Sequence, residues 1–347
     1  MARGGATATE APGTYIICAV DGLPVQTLGI AATASAVVSA FVVRSLLRFR
    51  LALDAPNDRS LHTTPTPRVG GLGILAGMLL GSAIAVGLST PLIWLALFLA
   101  ALSLVDDRWN LPVVIRLLGH LAAASVYVVM VGGWSSVFVL LLMILALSWM
   151  TNLYNFMDGA DGLAGGMTLF GFLAYAIAAA LQGHAVVAAI SICTASAAAG
   201  FLLFNFPPAR IFMGDVGSIP IGFLAGAIGL RGWIDGAWPL FFPLVVFAPF
   251  VVDASVTLVR RALRGAPVWK AHREHYYQRL ILGGWTHRRT AIAEYLLMAL
   301  CAATGLLVVF SGGVLRVIVV VALGVTLVVS MTLVDRQWRL KQPGIGA

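Results

Sequence analysis

Apolar runs of roughly 16 to 22 residues recur along the whole chain, separated by short polar segments. Within each run the apolar residues are continuous rather than alternating, which predicts membrane-spanning α-helices and excludes a β-barrel. Eleven spans are expected, over about 24–43, 70–88, 90–105, 117–131, 135–150, 166–182, 185–204, 218–232, 238–259, 290–310 and 314–334. The expected fold class is therefore all-α, a polytopic membrane protein built as a single integral-membrane domain over residues 1–347. Residues 1–14 are polar and read as flexible, without the charged-then-apolar order of a signal peptide. Residues 335–347 read as a tail.

The polar connections are strongly asymmetric. With the N-terminus outside, the inside loops are 44–69, 106–116, 151–165, 205–217, 260–289 and the tail, and they carry 5, 2, 0, 1, 8 and 3 Lys or Arg. Of the chain's 22 Lys and Arg, only Arg3, Arg231 and Arg316 fall elsewhere. The positive-inside rule then places the C-terminus and every sizeable polar cluster in the cytoplasm. The outer connections are brief, and Asp235, their one carboxylate, reads as a solvated turn residue.

Composition sharpens this picture. Hydrophobic residues make up 60%, charged residues 10%, and mean hydropathy is +0.96. A soluble domain carries about 25% charged residues, so none is expected here. The net charge of +8 is topological, and no nucleic-acid partner is implied. Cys18, Cys193 and Cys301 form neither a disulfide framework nor a metal motif.

The most unusual inside stretch is Asn152–Gly166, NLYNFMDGADGLAGG. It spaces Asn152 and Asn155, then Asp158 and Asp161, at three-residue intervals among glycines. A plain turn needs no such carboxylates and amides, which are expensive near lipid unless they act. A second acidic loop, DDRWNLP, places Asp106 and Asp107 side by side. Adjacent carboxylates raise each other's pKa unless a cation intervenes, which favours a divalent metal or proton abstraction. Neutralisation by Arg108 and Arg116 is the alternative. In NFPPARIFMGDVGS, Asp215 opens the next span, as a metal-binding carboxylate beside phosphate-binding amides or as an N-cap.

Two loops are basic. PNDRSLHTTPTPRVGG offers Arg59, His62 and Arg68 ahead of Gly70 and Gly71, which suits a phosphate as well as it suits topology alone. HREHYYQRL places His272 and His275 three apart, on one face if helical. Such a pair can take zinc or donate to phosphate; zinc wants a third ligand, and Glu274 would point elsewhere, so phosphate contact is favoured. His120 and Glu294 are expected to make interhelical hydrogen bonds, Asp253 to pair with Arg260 or Arg261, and His184 to be solvated. Carboxylates from three loops and basic groups from two describe a Mg²⁺ site beside a polyanion site.

DDRWNLP, NLYNFMDGADGLAGG, FMGDVGS and HREHYYQRL, in this order, resemble the motifs of the polyprenyl-phosphate N-acetylhexosamine-1-phosphate transferases, glycosyltransferase family 4. The resemblance spans about residues 50 to 290. It implies transfer of a sugar 1-phosphate from a UDP-amino sugar to undecaprenyl phosphate, with release of UMP, at the cytoplasmic face of a bacterial inner membrane. It implies dependence on Mg²⁺, with Mn²⁺ as the alternative. Asp215 would hold the metal, and Asp106 and Asp107 would act at the lipid phosphate, one of them as base. Asn155, Asp158 and Asp161 would line the uridine and diphosphate pocket. His272, His275 and Arg273 would contact diphosphate or sugar, with Arg68 in the phosphate-binding first loop. A homodimer is compatible with the family.

The histidine motif continues with Tyr276, Tyr277 and Gln278, not with three consecutive histidines as in the peptidoglycan-lipid branch. This resembles the O-antigen-initiating branch and points to UDP-GlcNAc or a 6-deoxy relative such as UDP-FucNAc or UDP-QuiNAc. A transporter of a phosphorylated metabolite is the rival, but it would need polar residues near mid-span, where this chain is almost wholly apolar. A non-catalytic scaffold would have no use for three acidic loops.

Overall fold

The computed structural model describes residues 23–49, 53–54, 65–268 and 272–341. Residues 1–14, Arg59 and His62 lie outside them. The chain is almost entirely helical. In order come α1 (Val25–Phe49), two-residue strands β1 (Leu53–Asp54) and β2 (Thr66–Pro67), α2 (Gly71–Ala85), α3 (Pro91–Trp109), α4 (Val113–Val131) and α5 (Val137–Phe156). Then follow α6 (Leu163–Leu181), α7 (Ala185–Asn205), α8 (Asp215–Ile234), α9 (Phe242–Val246), α10 (Ala248–Leu263), α11 (Tyr276–Leu282), α12 (His287–Phe310) and α13 (Gly313–Lys341).

Every expected span falls on a helix, and among the described residues eight helices are long and apolar enough to cross a membrane. Of the others, α2 has 15 residues and α3 ends in Asp106, Asp107 and Arg108. The expected span 238–259 is broken at Phe247 into α9 and α10. Pro249, with no N–H to give, sits where α10 restarts. Within the expected tail, α13 continues unbroken through Asp335 to Lys341.

α8 is the hub, packed by α2, α3, α4, α5, α6, α7 and α9. Lipid gives helices no hydrophobic reason to associate, so close packing must come from small residues. Gly73, Gly77 and Gly81 of α2 lie one turn apart against Val43, Ser39 and Ser35 of α1, where any Cβ would collide. Where α2 and α8 begin, Gly71 lies directly on the Gly217 backbone. Gly70 and Gly71 donate their N–H groups to the carbonyls of Phe212 and Met213, both at 2.9 Å. The first basic loop is thereby bonded to the segment that leads into Asp215.

Candidate active site

The acidic loop begins as the last turn of α5. Asn155 Nδ2 donates to Asp215 Oδ1 at 2.9 Å and to Ser218 Oγ at 3.0 Å, both in the first turn of α8. One turn earlier, Asn152 Nδ2 donates to the Ser148 carbonyl at 2.7 Å. That leaves Asn152 Oδ1 to accept from His120 Nδ1 on α4 at 3.1 Å. The expected interhelical bond of His120 is therefore present. Asp158 Oδ2 accepts the Gly214 N–H at 3.1 Å. Gly214 has φ 71° and lies against the Arg68 carbonyl, so only glycine fits there. Burial drives the Asp158 carboxyl well above the usual range and nearby Asp215 adds to it, against the Gly214 N–H.

Asp107 joins this group from the end of α3. Its Oδ1 pairs with Arg68 at 2.8 Å, and the Asp107 side chain is 14% exposed. Its Oδ2 is buried and has no hydrogen-bond partner among the described residues. Burial raises the Asp107 pKa; Arg68 opposes, and Asp215 and Asp106 add to the rise.

The adjacent acids divide. Asp106 accepts the Leu111 N–H at 2.8 Å and Arg116 at 3.0 Å, so both of its oxygens serve the turn from α3 into α4. Arg116, one of the two expected neutralising arginines, neutralises Asp106 and not Asp107. Asp161 likewise holds a turn. It accepts the Ala209 N–H at 3.0 Å, and its other oxygen lies 3.2 Å from His287 Nδ1. Asn205 completes this clasp, accepting from Gly162 N–H at 3.0 Å and donating to the Ile211 carbonyl at 2.8 Å.

The two histidines are not on a helical turn, the condition under which their spacing would put them on one face. His272 and His275 lie in the loop before α11, yet their rings are 4.9 Å apart. His275 is the N-cap of α11, buried, with Nδ1 3.1 Å from Asp253 Oδ1. Asp253 therefore does not pair with Arg260 or Arg261. It accepts the N–H groups of Tyr276 and Tyr277 at 3.0 and 3.3 Å, because the unsatisfied donors of a helix start are nearer than the arginines. The arginines turn elsewhere, Arg260 to Asp335 and Arg261 to Glu274. Burial pushes the His272 pKa down to about 4, with His275 and Arg261 adding to the effect. Its Nδ1 accepts the Glu274 N–H at 3.4 Å, which leaves Nε2–H as the donor. The Tyr277 hydroxyl donates to the Phe156 carbonyl at 3.3 Å and abuts Gly159, tying α11 to the acidic loop.

Arg273 makes no hydrogen bond or ion pair among the described residues. Glu294 makes no hydrogen bond there either; it lines a cavity of about 280 Å³ with Asp253 and Tyr276. Asp235 is not simply solvated but pairs with Arg231 at 2.7 Å, one helical turn away.

Among the described residues no three His, Cys, Asp or Glu side chains form a complete metal cage. The donor set fits Mg²⁺ all the same. That ion takes one or two carboxylates and completes its shell with water and phosphate oxygens. The carboxylates of Asp215 and Asp107 are hard oxygen donors of that kind, and Asp107 Oδ2 is buried without a partner among the described residues.

The family profile described as Glycosyl transferase family 4 matches residues 89–232. A decaprenyl-phosphate N-acetylglucosaminephosphotransferase of Mycobacterium tuberculosis is 32% identical over 336 aligned residues, covering 81% of this chain and 82% of the relative. The chain belongs to the polyprenyl-phosphate N-acetylhexosamine-1-phosphate transferases, glycosyl transferase family 4. It is a phosphosugar transferase of the membrane. A probable undecaprenyl-phosphate N-acetylglucosaminyl 1-phosphate transferase of Bacillus subtilis is 28% identical, with 71% of this chain and 74% of the relative covered. A phospho-N-acetylmuramoyl-pentapeptide-transferase of Moorella thermoacetica is 30% identical, with 78% and 92% covered.

The matched region of this transferase contains Asp106, Asp107, Asn155, Asp158, Asp161 and Asp215, and it ends before the histidine motif. Ser218, Asn205 and Tyr277 gain their roles from the structure. They stand inside the quoted loops, but nothing in those loops sets them apart; Asn152, at three-residue spacing from Asn155, carries a signal in the sequence.

Proposed function

We propose that this transferase moves an N-acetylamino-sugar 1-phosphate from a UDP-sugar to undecaprenyl phosphate, giving UMP and the lipid-diphosphate sugar. The observation that carries the proposal is the meeting of Asp107, Asp158, Asn155 and Asp215 at the ends of α3, α5 and α8, with Arg68 against Asp107. The Lys and Arg asymmetry supports assigning this face to the cytoplasm and the protein to the inner membrane of a bacterium.

Asp107 takes the proton from the acceptor phosphate. The freed oxygen attacks the sugar-linked phosphorus, the bond to the UMP phosphate breaks, and UMP leaves with the electron pair. Proton removal demands a carboxylate near neutral pH, and a raised pKa makes it the better base. Asp215 would hold Mg²⁺, which when bound would neutralise charge on both phosphates. Asn155 orients the Asp215 carboxylate, and Asp158 fixes the Gly214 turn. Asp106 and Asp161 brace the two loops. His272, neutral at pH 7, donates from Nε2 to the donor's diphosphate, and Arg273 supplies positive charge beside it.

The donor is UDP-GlcNAc or a 6-deoxy relative, and the product starts O-antigen or another envelope polysaccharide. N-acetylglucosamine in the names of the Mycobacterium and Bacillus relatives supports a small amino sugar. Purified protein in detergent, given undecaprenyl phosphate, Mg²⁺ and a panel of UDP-N-acetylamino sugars, should release UMP only when lipid is present. Turnover confined to the muramoyl-pentapeptide nucleotide would overturn the donor. No lipid-dependent release with any donor would overturn the reaction.

A further inference from the structure

Asp335 lies outside every motif above, near the end of a helix that the bundle scarcely holds. α13 has 29 residues, and among them only Leu323 is buried. It packs on α12 and α11. Its cytoplasmic end, by contrast, is firmly engaged. Asp335 Oδ1 accepts from Arg279 at 2.6 Å, and Oδ2 accepts from Arg260 at 2.7 Å and from the Tyr276 hydroxyl at 3.3 Å. Both guanidinium groups also lie over the Tyr276 ring, 4.8 and 5.6 Å from its centroid.

The chain of contacts continues into the histidine motif. Arg279 Nε donates to the Glu274 carbonyl at 2.8 Å. Glu274 stands between His272 and His275, and its side chain is clamped by Arg261 of α10 and by Arg264, the C-cap of that helix. Glu274 is therefore held twice, by its carboxylate from α10 and by its backbone from α11. The second hold depends on Arg279, and Arg279 depends on Asp335. The Asp335 and Arg279 side chains are 13% and 10% exposed, so water does little to replace this pairing. Removal of the carboxylate would leave two arginines facing each other across Tyr276. A basic loop serving topology alone would need no such carboxylate, because its arginines could face water.

We infer that Asp335 is a positioning residue for the histidine motif: through Arg279 it fixes the Glu274 backbone, and with it the aim of His272 at the donor diphosphate. The role of His272 rests on the proposed reaction; the anchoring of its loop does not.

Two measurements on Asp335→Asn, Asp335→Glu and a control, Asp235→Asn on the outer face, separate these parts. The first is amide hydrogen exchange across residues 272–282, which needs no substrate. Asp335→Asn should speed exchange there about tenfold, the scale of one lost charged hydrogen bond. Exchange in α6 and α7 should not change. The second is steady-state kinetics. Asp335→Asn should raise the KM for the UDP-sugar about tenfold and leave the KM for the lipid unchanged, while Asp335→Glu should stay within about threefold of wild type on both. The control should change neither readout. Unchanged exchange in 272–282 would overturn the anchoring. Faster exchange with an unchanged donor KM would overturn the link to the donor, as would an equal loss of kcat in both Asp335 variants with both KM values intact. A wild-type protein that fails to transfer would refute the proposed reaction instead, and the exchange data would still decide the anchoring.

Discussion

Arg68 and Asp107 meet at 2.8 Å, but the guanidinium engages one carboxylate oxygen and leaves the other buried and, among the described residues, unpartnered. The pairing opposes the effect of burial on Asp107, the proposed base, and leaves one of its oxygens open to a proton. Asp107→Asn should lower kcat by about 10²–10⁴-fold, the scale of general-base catalysis, with the protein still folded in the membrane. Arg68→Gln should act differently. Arg68 lowers the Asp107 pKa, so its removal lets that pKa rise, and the acid limb of the kcat/KM profile should move to higher pH. A limb that stays in place would separate Arg68 from the base.

Asp215 accepts from Asn155 at the first residue of α8, and as the proposed metal ligand it should be indispensable. Asp215→Asn should reduce transfer by roughly 10²–10³-fold, as loss of a preorganised electrostatic element does. A chelator should silence the wild type, and added Mg²⁺ should restore it. Near-normal turnover of Asp215→Asn would remove this residue from the metal role.

His272 predicts an acid-labile loop. An unfolded histidine holds its proton below about 6.5, whereas folded His272 holds one only below about 4. Between those values the unfolded chain binds the extra proton, so stability falls as pH drops through that window. The thermal midpoint in detergent should decline from pH 7 to pH 5, and His272→Gln should flatten the decline. An equal slope in the variant would assign it to other groups.

The contact of Gly71 with Gly217 predicts a steric limit. Gly217→Val would push a branched side chain into the α2 backbone, and overpacking of this kind costs about 1–3 kcal/mol. The thermal midpoint should fall, and UMP release should fall with it, because Gly71 leads into the backbone pairing with Phe212 and Met213. Gly29→Val is the control: no atom lies within 4 Å of the Cβ that Gly29 would gain, so it should leave both unchanged.

The helices themselves were legible in the sequence, because lipid leaves a backbone no alternative to internal hydrogen bonding. The acidic loops were equally legible, since a spaced carboxylate beside an apolar run stands out against its surroundings. What each carboxylate does was not. Asp106 and Asp107 are adjacent and alike in sequence, yet one bonds Leu111 and Arg116 while the other faces Arg68. One helical residue is a turn of 100°, and neighbours on other helices decide what each face meets.

The same reason accounts for the differences at two other residues. Sequence proximity pairs Asp253 with Arg260 or Arg261, but the N–H groups of Tyr276 and Tyr277, over twenty residues away, reach it. A carboxyl at a span edge suggests an interhelical bond for Glu294, which instead lines a cavity. The sequence by itself determined the membrane class, the helix positions and the set of chemical groups, because those follow from local hydropathy and residue type. Tertiary structure alone decided which groups meet, such as Asp335 with Arg279, Arg260 and Tyr276. Such pairings join residues far apart along the chain, and the packing of helices brings them together.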